Sequence, residues 1–91
     1  FQGEIGERIT RELMVKRRLA FSSDYRPGPF YIHILNDLDG NIYVWRTHKE
    51  LLEGHLYEVT GTVKAHEYYR AIRQTILTRC RVTEILIEKG A

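Results

Sequence analysis

Apolar and polar residues alternate with period two through most of this chain, the spacing of strands buried on one face only. Residues 56–66 carry it most cleanly. Tyr57, Val59, Gly61, Val63 and Ala65 are predicted to face a core, and Glu58, Thr60, Thr62, Lys64 and His66 to face outward. A glycine in the middle of that run, Gly61, predicts a bend or bulge. Residues 9–21 alternate as well, with Ile9, Leu13, Val15, Leu19 and Phe21 on one side and Arg11 and Arg17 as exceptions. Good helix formers between Arg11 and Leu19 would allow a helix there, but the spacing favours a long, strongly bent strand. The last strand is predicted over residues 74–87, and its broken alternation implies a bulge within 79–82.

Between these lies a hairpin. Residues 29–35 and 42–46 are rich in β-branched and aromatic side chains, which suit a pleated surface. A three-residue loop, Leu38-Asp39-Gly40, joins them, with Gly40 supplying the positive φ that closes such a loop. This sets Asp37 opposite Asn41, His33 opposite Trp45 and Ile34 opposite Val44. A two-residue Asp39-Gly40 turn would instead bring Ile34 beside Trp45. With the longer loop, one face carries Phe30, Ile32, Ile34, Ile42 and Val44, and the other Tyr31, His33, Leu35, Tyr43 and Trp45. The first is expected to close a core. The second is expected to look outward, as flat rings on which bases could stack.

Turn chemistry makes residues 22–29 a loop, and residues 67–73 read as a connection rich in aromatic and basic side chains. Residues 47–54 read as one or two helical turns, with Thr47 as N-cap, Glu50 three residues on and Gly54 as the stop. The predicted fold is therefore all-β: a five-stranded Greek-key OB-fold barrel with a short helix between strands 3 and 4. An SH3-like barrel is the nearest alternative, though its helical turn usually comes just before the last strand.

At 91 residues there is room for one modest core. Phe1-Gln2-Gly3 matches what a tobacco-etch-virus protease leaves after removing a tag, so 1–3 are set apart as a tag remnant and 4–91 are expected to form the domain. No apolar run approaches the ~18 residues of a membrane span, and no membrane partner is expected. The single cysteine, Cys80, excludes an internal disulfide and a cysteine-built zinc site, is expected to be a small buried hydrophobe, and fits a cytoplasmic protein.

The net charge of +2 hides an asymmetry. Residues 8–26 hold six basic residues against Glu12 and Asp24, and residues 64–81 hold five against Glu67 alone. Residues 36–58 hold five acids against Arg46 and Lys49. Two basic segments around an aromatic hairpin point to a polyanion.

Gly61-Thr62-Val63-Lys64-Ala65-His66, followed by Tyr69, Gln74-Thr75, Leu77 and Arg79-Cys80, resembles a motif of OB-fold domains in phage and mobile-element replication proteins. Asp39-Gly40-Asn41 and Trp45 extend the resemblance over most of residues 5–83. Where such sequences often carry a glycine after the aromatic-basic pair, this chain has Ala71, which puts the shape of that loop in question. The resemblance implies a single-stranded-DNA-binding module, with RNA as the other possible ligand.

OB-folds bind single strands on the face of strands 2 and 3 and on the 1–2 and 4–5 loops. Those places hold Tyr31, His33, Tyr43 and Trp45 on the face, Tyr25 and Arg26 in one loop, and Lys64, His66, Tyr68, Tyr69, Arg70 and Arg73 in or beside the other. These are the candidate nucleic-acid-binding residues. No catalytic residue, metal ligand or cofactor is expected: the four histidines lack ligand spacing, and no P-loop, dinucleotide fingerprint or nucleophile elbow occurs. His66-Glu67 as an acid–base pair for phosphodiester cleavage is a remote alternative. A protein-interaction barrel in a larger assembly, docking other domains of a longer chain or a replication partner, is the nearer one.

Overall fold

The computed structural model describes residues 1–23 and 26–85, with the backbone alone for residues 23, 26 and 27. Five strands, β1 (Arg8–Ser23), β2 (Arg26–Asn36), β3 (Ile42–Thr47), β4 (Leu56–Tyr69) and β5 (Ile72–Glu84), close into a barrel in the order β1-β2-β3-β5-β4. All neighbours are antiparallel except β3 and β5, which run parallel. Closure depends on β1 serving two partners. Arg8–Met14 pairs with β4, and from Met14 onward the same strand pairs with β2. The strand expected to bend strongly is the one that changes partner, at Met14.

Three irregularities decide which side chains reach the core. Between Val15 and Arg17 the β1–β2 register slips by one residue at Lys16. A slip of one exchanges the faces of everything beyond it. Ile9, Leu13 and Val15 therefore point inward as expected, whereas Leu19 pairs with Ile32, and Phe21 with Phe30, on the outer side. In β4 a slip at Lys64 turns Ala65 outward beside Ile76 and sets His66 opposite the buried Thr75, reversing the phase expected for both. In β5 the bulge expected within 79–82 is present: Arg79 and Cys80 together oppose Gly61, and Arg79 has a φ of 52°. A side chain at Gly61 would collide with Cys80, since a Cβ there would lie 2.6 Å from Sγ.

The hairpin register is as predicted, with His33 opposite Trp45 and Ile34 opposite Val44. Asp37 builds the turn. Its carboxylate accepts from the Asp39 and Asn41 backbone N–H groups (3.0 and 2.9 Å) and the Asn41 side chain (2.9 Å), and Gly40 takes a φ of 83°. The faces, however, are the reverse of those expected. His33, Leu35, Tyr43 and Trp45 lie inside the barrel, while Ile32, Ile34, Ile42 and Val44 line its outer wall, half-buried. Large rings fill the interior, and two of their polar groups find partners there: the Tyr43 hydroxyl donates to Asp37 (2.9 Å) and His33 Nε2 accepts from the Leu51 N–H (3.0 Å), whereas His33 Nδ1 has no partner within hydrogen-bond geometry among the described residues. A buried ring with a satisfied polar tip carries little desolvation penalty.

Among the described residues there is no helix, so the one expected between strands 3 and 4 is replaced by a turn-rich connector. The Thr47 hydroxyl accepts the Lys49 N–H (3.2 Å), but no capping box forms, because Glu50 pairs with Arg18 (3.2 Å). Side chains capture the groups that a helix would use: Leu51 N–H goes to His33, Leu51 C=O to Arg18 (3.0 Å) and Leu52 N–H to the Tyr57 hydroxyl (3.0 Å). Leu51 thereby plugs the barrel, almost wholly buried.

Both expected loops are largely strand. The β1–β2 ladder continues to Ser23–Arg26, and the β4–β5 ladder to Tyr69–Ile72. Arg70 and Ala71 turn the second arm at φ of 50° and 64°. Positive φ, which a glycine would take without strain, is adopted here by an alanine. The two arms draw the molecule out to 48 × 30 × 25 Å.

Candidate nucleic-acid interface

Two adjoining hollows lie on the outer wall. One, of about 300 Å³, is lined by Ile32, Val44, Arg46, Lys64, Ala65 and Ile76, among others. The second, of about 200 Å³, lies between Lys16 and Arg17 of β1, Ile34 and Ile42 of the hairpin, and Tyr69 and Ile72 of the β4–β5 arm. The wall continues along the β1–β2 arm to Phe21 and Phe30, whose rings stack at 5.3 Å. The Arg46 guanidinium covers Phe30 at 5.7 Å, and Phe21 is 41 % exposed. The result is an apolar groove with an aromatic pair at one end and an aromatic-basic arm at the other.

Its charge is lopsided. Among the described residues, Lys16, Arg17, Arg46 and Lys64 line the hollows against a single carboxylate, Glu67. Among the described residues, the ion pairs are Arg18–Glu50 and His55–Glu84, and neither uses a cation of this rim.

The sequence-predicted site residues divide between several places. Lys64 and Tyr69 line the groove, and Arg70 lies over the Tyr69 ring at 5.4 Å. His66, Tyr68 and Arg73 sit on the other side of the same arm, gathered about Phe1. Phe1 stacks on His66 at 4.5 Å, and His66 Nε2–H donates to the Gly3 carbonyl (2.8 Å). Tyr31 is half-buried at the barrel mouth under Arg18 (5.7 Å), away from the groove. His33, Tyr43 and Trp45 are enclosed, and no base can stack on them. Tyr25 lies outside the described residues, as does the side chain of Arg26.

Compared with known proteins, the chain matches no family model, no curated protein and no solved structure.

The enclosed groups titrate away from their ordinary values. Burial lowers the His33 pKa, with Arg18 adding to the effect and the Trp45 backbone and Glu50 opposing it. Burial opposes ionisation of Asp37, but hydrogen bonds from Asn41, Tyr43 and Asp39 outweigh it and hold the carboxyl below its ordinary range. Tyr43 is pushed up to about 12, first by burial and then by Asp37. Burial pushes Cys80 up to about 12 as well, so its thiol is not a poised nucleophile. Among the described residues no three His, Cys, Asp or Glu side chains gather as a metal site.

Sequence reasoning missed Phe21, Phe30, Arg46, Lys16 and Arg17. A signal was present. Arg17 breaks the alternation of β1, and an arginine at a core position is expensive unless the strand slips just before it. A slip at that point moves Leu19 and Phe21 to the outer wall.

Proposed function

We propose that this barrel is an OB-fold domain that binds single-stranded nucleic acid, DNA before RNA, along the outer wall of β2 and β3, without catalysis. The strand order with parallel β3 and β5 supports the fold reading. The observation that carries the function is the apolar groove edged by Lys16, Arg17, Arg46 and Lys64, with the stacked Phe21–Phe30 pair at its end. Bases would stack on Phe21 and pack on the aliphatic floor, and the rim cations would meet phosphates. The resemblance to replication domains of phages and mobile elements suggests a role for such an activity in replication or element maintenance.

A second reading has its own observation. Ile32, Ile34, Ile42, Val44 and Ile76 offer no π-face, and an aliphatic floor also suits an apolar protein partner. Anisotropy of labelled oligo-dT and of matched RNA and duplex separates the two. The label belongs on the oligonucleotide, because Trp45 is enclosed and would report stacking poorly. Under the first reading oligo-dT binds with a steep salt dependence, and Phe21→Ala loses the ~1–3 kcal/mol of one stacked base. Absence of binding by either single strand at low salt refutes it and leaves the protein-docking reading.

A further inference from the structure

The wall formed by β1, β4 and the far half of β5 differs in kind from the groove. Its cross-strand rungs are Arg8–Thr62–Thr78 and Thr10–Thr60–Arg81, with the exposed Arg79 inserted between them by the bulge. On these rungs three guanidiniums and a ladder of hydroxyls share the surface with no apolar side chain among the described residues, the nearest along β1 being Met14, beyond Glu12. The Thr10 and Thr60 hydroxyls are hydrogen-bonded at 2.9 Å. Arg8 Nη1 donates to the Thr62 hydroxyl (3.2 Å) and the Arg79 carbonyl (3.1 Å), which fixes its guanidinium across the bulge. The acids of this wall, Glu12 and Glu58, face each other one rung further on. Neither takes part in an ion pair with these arginines among the described residues.

The bulge is what puts Arg79 there. It turns Cys80 toward Gly61, where no side chain could fit, and holds Arg79 at positive φ, a strained conformation for arginine. An anion bound here would relieve the crowding of like charge. Continuity with the groove indicates which one. Thr78 belongs both to the lining of the larger hollow, beside Lys64, and to the Arg8–Thr62 rung.

We propose that Arg8, Arg79 and Arg81, with the threonines between them, form a second site that holds the phosphodiester backbone of a strand leaving the groove past Lys64 and Thr78. This rests on the groove reading above. Guanidinium and hydroxyl donors match phosphate oxygens, and the lack of any ring or aliphatic side chain makes the site indifferent to base. A short ligand fills the groove alone, and a longer one wraps onto this wall.

The test is length dependence. Oligo-dT of about 4 and about 16 nucleotides, the range of site sizes for one such barrel, is titrated against the parent and the Arg79→Asn/Arg81→Gln double variant. Asparagine tolerates positive φ. Arg81→Glu, outside the bulge, serves as the second variant if the first fails to fold by thermal unfolding. The expected result is an unchanged affinity for the short ligand and a loss of about tenfold for the long one. The salt slope for the long ligand should also fall by about 0.7 for each phosphate that the variant no longer neutralises. Equal affinity of parent and variant for the long ligand, or equal losses at both lengths, overturns the second site and leaves the groove standing. A parent that binds neither length overturns the groove reading and this site with it.

Discussion

The His33 imidazole is fully enclosed, with its two nitrogens in unlike surroundings. Nε2 accepts the Leu51 N–H, so the proton sits on Nδ1, where the Trp45 backbone offers some support but no well-formed hydrogen bond is made among the described residues. A second proton would have to displace the Leu51 N–H and place a cation near Arg18. This is why the folded pKa lies below the ordinary 6.5, with burial the larger cause. The consequence for stability has a definite sign. Above the unfolded value, His33 is neutral in both states and its contribution is complete. As pH falls through 6.5, the unfolded chain takes up a proton that the folded one refuses. Stability should therefore drop on the acid side of 6.5 and level off below the folded pKa. His33→Gln keeps an acceptor for Leu51 but cannot titrate. In urea unfolding at about pH 8 and about pH 5, the parent should lose more stability than this variant. Equal losses would mean that His33 protonates in the folded barrel without cost.

At the scale of elements, the β2–β3 hairpin separates what a sequence can specify from what it cannot. Its loop, register and two faces were all legible, because Asp37, Gly40 and period-two alternation act locally. Which face turns inward is decided elsewhere. Both faces are apolar enough to be buried, and the choice rests on partners remote in sequence, such as Leu51 for His33 and Leu77 beside Trp45. Slips at Lys16 and Lys64 then exchange faces within single strands, and only Arg17 hinted at either. Most of the fold could thus be read, whereas rings expected to face outward form part of the core. The inversion has a direct test in unfolding free energies. Trp45→Ala should cost about 3–5 kcal/mol, as for a large buried ring, or leave no folded baseline. Val44→Thr, its neighbour on the outer wall, should cost about 1 kcal/mol or less. A reversed ranking would restore the outward-facing rings.

For the molecule as a whole, the relevant contrast is between a closed barrel and two arms that project from it. Barrel strands have a hydrogen-bonded neighbour on each side. By contrast, β1 beyond Val15 pairs with β2 alone, and the tip of the β4–β5 arm has only its own two strands. The arms also bury little: Tyr68 and Tyr69 are 64 % and 57 % exposed. Opening an arm therefore bares little new apolar surface and leaves the core of Leu13, Leu35, Tyr43 and Val63 intact. Native-state hydrogen exchange should then resolve two tiers. Amides around Tyr69, Ile72 and Phe21 should exchange by local opening that is nearly independent of denaturant, and those of the barrel rungs only on global unfolding. The same measurement bears on the ligand. If a single strand lies in the groove between the arms, as proposed, it touches Phe21 on one and Tyr69 on the other, and should raise protection in both arms with little change in their direct hydrogen bonding. Arm amides already protected to the global limit without ligand would mean that the arms are as fixed as the barrel, and that the groove binds, if it binds, as a rigid surface.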